Sequence, residues 1–167
     1  MKPVASTLLA IFAVASLGCA SAEALQQKTE RKKYEVTHTT AEWRKLLPPP
    51  VFRVLRQAFT EQPWSGKLLD VHEKGVFVCA GCGQKLFKSE TKFDSGTGWP
   101  SFWDPITKAS VDEVEDLSDG MDRTEVKCAK CGGHLGHVFN DGPAPTGLRF
   151  CMNSLAMKFV PDVPPKK

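Results

Sequence analysis

Hydrophobic and polar positions change texture three times along the chain. After a single charge at Lys2 comes an apolar run from Leu8 to Gly18, too short for a comfortable membrane span. It is followed by Ala20-Ser21-Ala22, the spaced small residues that a signal peptidase accepts, so residues 1–22 are expected to be a signal peptide cleaved after Ala22. Lipidation of Cys19 is the alternative, although Ser16 stands where a lipoprotein signal usually has a large aliphatic residue. Residues 23–33 are polar and lack an apolar face, which predicts a flexible lead-in. An ordered domain is expected over residues 34–162, with a short tail at 163–167.

Within that domain the period of the pattern switches once. Thr39-x-x-Glu42 is a capping-box signature ahead of Trp43, Leu46 and Leu47, and Pro48-Pro49-Pro50 stops that helix abruptly. A second helix is expected from Pro50, with Val51, Leu55 and Phe59 on one side. After Pro63 short β-rich runs take over, broken by Gly, Asp and Pro: 75–79, 111–115, 124–128, 148–153 and 156–160. The expected fold is therefore mainly β, with short N-terminal helices. Seven acidic residues crowd 112–125 against Arg123 alone, which predicts a solvated loop.

Composition narrows the function classes. The chain has 167 residues and a formal charge of +3, with no basic run interleaved with aromatics, so a nucleic-acid partner is not expected. Nor is a membrane span, and the simplest oligomeric expectation is a monomer. If the leader is removed the protein is exported, to the periplasm in a bacterium or to the secretory pathway or exterior in a eukaryote. Loss of Cys19 with the leader leaves five of the six cysteines.

Four of the five form a repeated figure. Cys79-Ala80-Gly81-Cys82-Gly83 and Cys128-Ala129-Lys130-Cys131-Gly132 share the form C-x-x-C-G, each at the end of an expected strand. Two intervening residues let a tight turn aim both sulfurs at one point, and two such turns supply a closed tetrahedral set for one structural Zn²⁺. Iron, or disulfides in an oxidising compartment, are the alternatives, but bridges within C-x-x-C turns would close tiny loops that constrain little of the unfolded chain.

Cys151 stands apart in Arg149-Phe150-Cys151-Met152-Asn153-Ser154. A lone cysteine in a strand is commonly a small core hydrophobe, but Arg149 lies two residues away on the same side and would favour a thiolate. His134 and His137, set among glycines directly after the second C-x-x-C turn, resemble an acid/base pair more than two unrelated structural histidines. Trp99, between Gly98 and Pro100, suits the wall of a small apolar pocket, whereas Phe102 and Trp103 are expected in the core.

Taken in order from Tyr34 to Val160, these motifs resemble the type B methionine sulfoxide reductases, which act on the R epimer at sulfur. The resemblance is carried by FDSGTGWPSF at 93–102, both C-x-x-C turns, GGHLGHVFNDGP at 132–143 and RFCMNS at 149–154. It implies two antiparallel sheets, a structural zinc on Cys79, Cys82, Cys128 and Cys131, and Cys151 as nucleophile. It also implies Trp99 as the wall for the substrate methyl, with His134, His137, Asp141, Arg149 and Asn153 around the sulfoxide oxygen and the thiolate. Many family members carry a resolving cysteine where this chain has Thr97. The expected reaction is attack of Cys151 on the sulfur of an oxidised protein or peptide, protonation of the oxygen by His137 or His134 with help from Asn153, and a sulfenic acid on Cys151. That acid would be resolved by an external thioredoxin-like protein or small thiol. A non-catalytic exported zinc-ribbon module and a C-x-x-C disulfide oxidoreductase are the competing readings.

Overall fold

Thr39 begins the ordered helical part by satisfying the amides that a first turn leaves open. Its hydroxyl accepts from the Glu42 N–H while the Glu42 carboxylate accepts from the Thr39 N–H, closing the capping box of helix α1, Thr40–Leu46. Trp43 is its buried residue, Leu47 at its C-cap is buried too, and Leu46 points to solvent. Pro48 caps helix α2, Pro49–Gln57, which starts one residue earlier than its pattern suggests. Ala58 turns into the left-handed region and ends the helix, so Phe59 leaves the apolar face, which is Phe52, Val54 and Leu55 with Val51 partly buried against the core. Phe59 lies beyond the helix, exposed, with the Arg53 guanidinium 4.0 Å above its ring. The computed structural model describes residues 32–162. The expected leader, nearly all of the lead-in and the 163–167 tail lie outside the described residues.

The rest is β, as the pattern of short runs predicts, arranged in two antiparallel sheets. Strands β1 (Gly75–Cys79), β2 (Lys85–Lys88) and β9 (Met157–Pro161) form the smaller sheet in the order β2-β1-β9. Strands β3 (Lys92–Phe93), β4 (Ser101–Phe102), β5 (Val111–Asp116), β6 (Arg123–Cys128), β7 (His134–Phe139) and β8 (Arg149–Met152) form the larger one, in the order β3-β4-β8-β7-β6-β5. The acidic stretch expected to be a loop is mostly the β5–β6 hairpin, in register from Val111 opposite Cys128 to Asp116 opposite Arg123.

Aromatic rings join the two sheets. Phe87 of β2 stacks on Phe102 of β4 at 4.4 Å, Phe77 of β1 meets the same ring edge-on at 4.9 Å, and Phe150 of β8 lies 5.7 Å from Phe87. All four are essentially inaccessible to water. Burying each contributes roughly 2–3 kcal/mol relative to exposure, and the ring geometry adds to that. Trp103, expected in the core, is only half-buried. Among the described residues no helix is long and apolar enough to cross a membrane.

This packing places Cys151 in the middle of the larger sheet, between Ser101 of β4 and His137 of β7. Gly136 makes the close approach possible, because a Cβ there would run into the Cys151 carbonyl.

Candidate active site and metal centre

The two C-x-x-C turns fold alike. In the first, the Cys79 N–H bonds the Gln84 carbonyl at 2.8 Å and the Gly83 N–H bonds the Cys79 carbonyl at 2.9 Å. In the second, Cys128 bonds Gly133 and Gly132 bonds Cys128, both at 2.8 Å. Gly83 and Gly132 take matching left-handed φ values of 75° and 68°, which a side chain would resist. Since β1 belongs to the smaller sheet and β6 to the larger, the turns bring the sheets together at one end.

There the Sγ atoms of Cys79, Cys82, Cys128 and Cys131 all lie within 4.8 Å of one another. The cross-turn pairs Cys79–Cys131 and Cys82–Cys128 are separated by 3.7 Å and 3.5 Å. Sulfurs on a tetrahedron about 2.3 Å from zinc stand about 3.8 Å apart, whereas a disulfide needs about 2.05 Å. The cysteines are free thiols in a spacing that could hold a metal ion. Four thiols so close cannot all ionise unaided. Hydrogen bonds among them push Cys79 and Cys128 up and hold Cys82 and Cys131 down, a conflict that a divalent cation removes. The Arg56 guanidinium of α2 donates to the Cys131 carbonyl at 3.0 Å, bracing the second turn from outside.

The other cysteine has different company. Cys151 opens into a cavity of about 180 Å³ lined by Thr60, Trp99, Arg123, Gly136, His137, Phe139, Cys151 and Asn153. Burial pushes its thiol up, and Thr97 and Arg149 pull in the opposite direction without cancelling that effect. The Thr97 hydroxyl is 3.9 Å from the sulfur. It begins a chain of hydroxyls: Thr97 to Ser95 at 2.8 Å, Ser95 to Ser101 at 2.7 Å, and Ser101 donating to the Trp99 carbonyl at 3.2 Å.

The two histidines are held by two carboxylates. His137 Nε2 is 2.8 Å from Asp116 Oδ2, and the same carboxylate takes the Arg123 guanidinium at 2.9 Å. The Ser118 hydroxyl and then His137 hold Asp116 well below the usual carboxylate range. His134 Nδ1 is 2.7 Å from Glu125 Oε1, and its Nε2 is buried with no hydrogen-bond partner. Burial raises Glu125, but bonds to His134 and Lys127 outweigh it and leave the carboxyl lowered. The imidazoles meet edge-on at 5.5 Å. Only His137 borders the cavity; His134 sits behind it.

Of the remaining candidates, Trp99 and Asn153 line the cavity, while Arg149 and Asp141 do not. Arg149 lies over the Phe139 ring at 4.4 Å and grips Asp141 through two bonds of 2.8 Å, which lower the Asp141 carboxyl. Asn153 is committed on both sides of its amide: Oδ1 accepts from the Glu61 N–H at 2.9 Å and Nδ2 donates to the Leu135 carbonyl at 3.0 Å.

The SelR domain matches residues 47–161 of this chain. The peptide methionine sulfoxide reductase MsrB of Leptospira interrogans is 55% identical over 126 residues, 75% of this chain and 96% of that protein. Its namesake from Bradyrhizobium diazoefficiens is 54% identical over 134 residues, covering 80% and 96%, and that from Methanosarcina barkeri is 56% identical over 124 residues, covering 74% and 87%. The chain belongs to the SelR-domain family of type B methionine sulfoxide reductases.

Three residues of this SelR domain that its sequence pattern passes over support the site. Asp116 and Glu125 read as members of a solvated acidic run; the alternation of β5 and β6 was the only hint that two of seven acids would turn toward the histidines. Glu61 is a buried carboxylate whose charge is met by the N–H groups of Ser154 at 2.6 Å and Leu155 at 2.9 Å. Its own carbonyl accepts the Trp99 indole N–H at 3.1 Å, so the 60–61 segment ties Trp99, Asn153 and the exit of β8 into one frame.

Proposed function

We propose that this chain reduces peptide-bound methionine (R)-sulfoxide to methionine with Cys151 as nucleophile and His137 as proton donor. The observation that carries the reading is that Cys151 and His137 sit opposite each other in the β7–β8 register and share one small cavity with the Trp99 indole. A sulfoxide sulfur is a poor electrophile until its oxygen takes a proton, so thiol and acid must reach the same group. Asp116 occupies one nitrogen of His137 and fixes the ring, leaving Nδ1 for the substrate oxygen. The indole offers an apolar wall for the methyl group.

The stoichiometry closes without an outside proton. The Cys151 thiol gives its proton, by way of His137, to the sulfoxide oxygen as a bond forms between the two sulfurs. That bond then breaks with the hydroxyl passing to Cys151, which releases methionine and leaves a sulfenic acid. Cysteine sulfur loses two electrons and sulfoxide sulfur gains them. Thr97 cannot resolve this acid, and the other described cysteines belong to the metal set. An external thiol therefore displaces water to form a mixed disulfide, and a second thiol frees Cys151 and leaves as a disulfide; a thioredoxin-like protein or a small thiol supplies both.

Cys79, Cys82, Cys128 and Cys131 would hold Zn²⁺, whose four filled positions make it a fold-stabilising ion with no seat for substrate. Two further parts of the reading rest on sequence alone: export after cleavage at Ala22, and action as a monomer. The decisive experiment assays both methionine sulfoxide epimers with a dithiol alongside a metal measurement, using wild type and Cys151→Ser. Activity confined to the R epimer, absent from the variant, with about one zinc per chain in both, is the expected result. Substantial turnover by Cys151→Ser would overturn the nucleophile assignment, and zinc-loaded wild type with no turnover would favour a binding module.

A further inference from the structure

Trp99 borders two cavities. One holds Cys151, and the other, about 520 Å³, lies among Trp64, Leu69, Asp70, Lys92, Asp94 and Trp99. Trp64 is the unusual wall. It is 64% exposed and held at φ 66°, a region that bulky residues avoid. Its N–H bonds the Gly98 carbonyl at 2.8 Å, and Gly98 must lack a side chain because a Cβ would come within 2.9 Å of the Trp64 nitrogen. The structure thus pins a solvent-facing indole to the turn that carries Trp99.

Charge selects the guest. Asp70 and Asp94 are exposed carboxylates on this wall, and the single ammonium among them, Lys92, already donates to the Leu69 carbonyl at 2.7 Å. An open indole beside a surplus carboxylate favours a guanidinium or ammonium, which gains from the ring face and the charge together. Because Trp99 is common to both cavities, a polypeptide with its sulfoxide side chain against Cys151 would bring a neighbouring residue here.

We infer that this second cavity is a subsite for a basic residue, arginine or lysine, flanking the methionine sulfoxide of a polypeptide substrate. The inference rests on Cys151 marking the reactive position. The subsite gives the enzyme a preference among oxidised sites, expressed mainly in KM because the guest is remote from the reacting atoms.

The test compares short blocked peptides in which methionine sulfoxide is flanked by Arg, Gly or Glu, together with N-acetyl-methionine sulfoxide, under dithiol turnover. Wild type is expected to favour Arg over Gly by about 3- to 10-fold in kcat/KM through KM, to disfavour Glu, and to lose the preference at high salt. Trp64→Ala and Asp70→Asn are each expected to shrink the Arg-to-Gly ratio toward one. A wild-type ratio already near one, a preference for Glu, or a ratio unchanged in both variants would overturn the subsite. The wild-type comparison decides this even if Trp64→Ala fails to fold. Turnover of N-acetyl-methionine sulfoxide by wild type and its absence in Cys151→Ser separately report on the reactive position.

Discussion

Five described cysteines occupy two settings in this molecule, and the difference lies in what surrounds each sulfur. Cys79, Cys82, Cys128 and Cys131 have one another within 4.8 Å, on two turns of matching backbone geometry. Cys151 has a hydroxyl at 3.9 Å, a histidine across the strand and an opening to solvent. Four sulfurs facing inward make a closed set suited to an ion, whereas one sulfur facing a cavity keeps its lone pairs for substrate. The first arrangement joins the two sheets; the second needs the sheets joined so that β4, β7 and β8 stay in register around it. On the proposed reading, stability and chemistry fall to different cysteines of one chain.

The largest expected effect comes from breaking the closed set. Structural zinc binding in small folds carries an apparent 10–16 kcal/mol, as much as the whole stability of a typical domain at about 5–15 kcal/mol. Cys128→Ser, at a fully buried position of the four-sulfur set, is therefore expected to lose the proposed zinc and cooperative folding together, with activity lost as a consequence. Cys151→Ser should keep the zinc and the melting transition. Metal content and thermal denaturation of the two variants check the contrast, and a zinc-free Cys128→Ser that melts like wild type would show that the cluster does not carry the fold.

Next in size is the comparison of the two histidines, which share a strand and a carboxylate partner each but not the cavity. General acid catalysis contributes about 10²–10⁴-fold, so His137→Ala is expected to lower kcat by at least about 10²-fold. His134→Ala should cost clearly less, because its ring meets the Glu125 carboxylate and the His137 ring and does not border the cavity. Single-turnover rates with a blocked sulfoxide check this, and equal losses would mean that the pair acts as a unit.

How much of this was legible in the sequence follows from the range of the interactions. The C-x-x-C-G turns and the capping box of Thr39 and Glu42 are local, decided within five residues, and their sequences declare them. Four of the five β runs read from the pattern, at 75–79, 111–115, 124–128 and 156–160, come within a residue or two of β1, β5, β6 and β9, and the run at 148–153 brackets β8. Strands β2, β3, β4 and β7 fall outside those runs; β7 escapes the pattern because two histidines and Gly136 interrupt its apolar character, although Gly136 is there to let β8 approach. The end of α2 is illegible in the pattern because the left-handed turn falls on an alanine, which gives no warning. Asp116 and Glu125 were unreadable for another reason: their roles come from hairpin register and from His137 and His134, 21 and 9 residues away.

The smallest effect tests the hydroxyls around Cys151. Burial raises the thiol above its ordinary range because it penalises the charged form, and the Thr97 hydroxyl opposes this by donating to the thiolate. Removing the donor at nearly constant shape, as in Thr97→Val, leaves the neutral thiol almost untouched and destabilises the anion, so the thiolate should form at still higher pH. Iodoacetamide modification of Cys151 should therefore shift its pH profile to the alkaline side and slow at neutral pH by about 2- to 5-fold, the scale of one modest hydrogen bond. Ser95→Ala should act in the same direction more weakly, since Ser95 acts on the sulfur through Thr97 at 2.8 Å and Ser101 at 2.7 Å, the two hydroxyls that lower the thiol. The other four described cysteines give the internal control, because sulfurs holding the proposed zinc should not follow that profile. A Thr97→Val profile shifted to the acid side would mean that the hydroxyl accepts from the thiol rather than donating to the thiolate, and Thr97 would then hold Cys151 in its resting, protonated form.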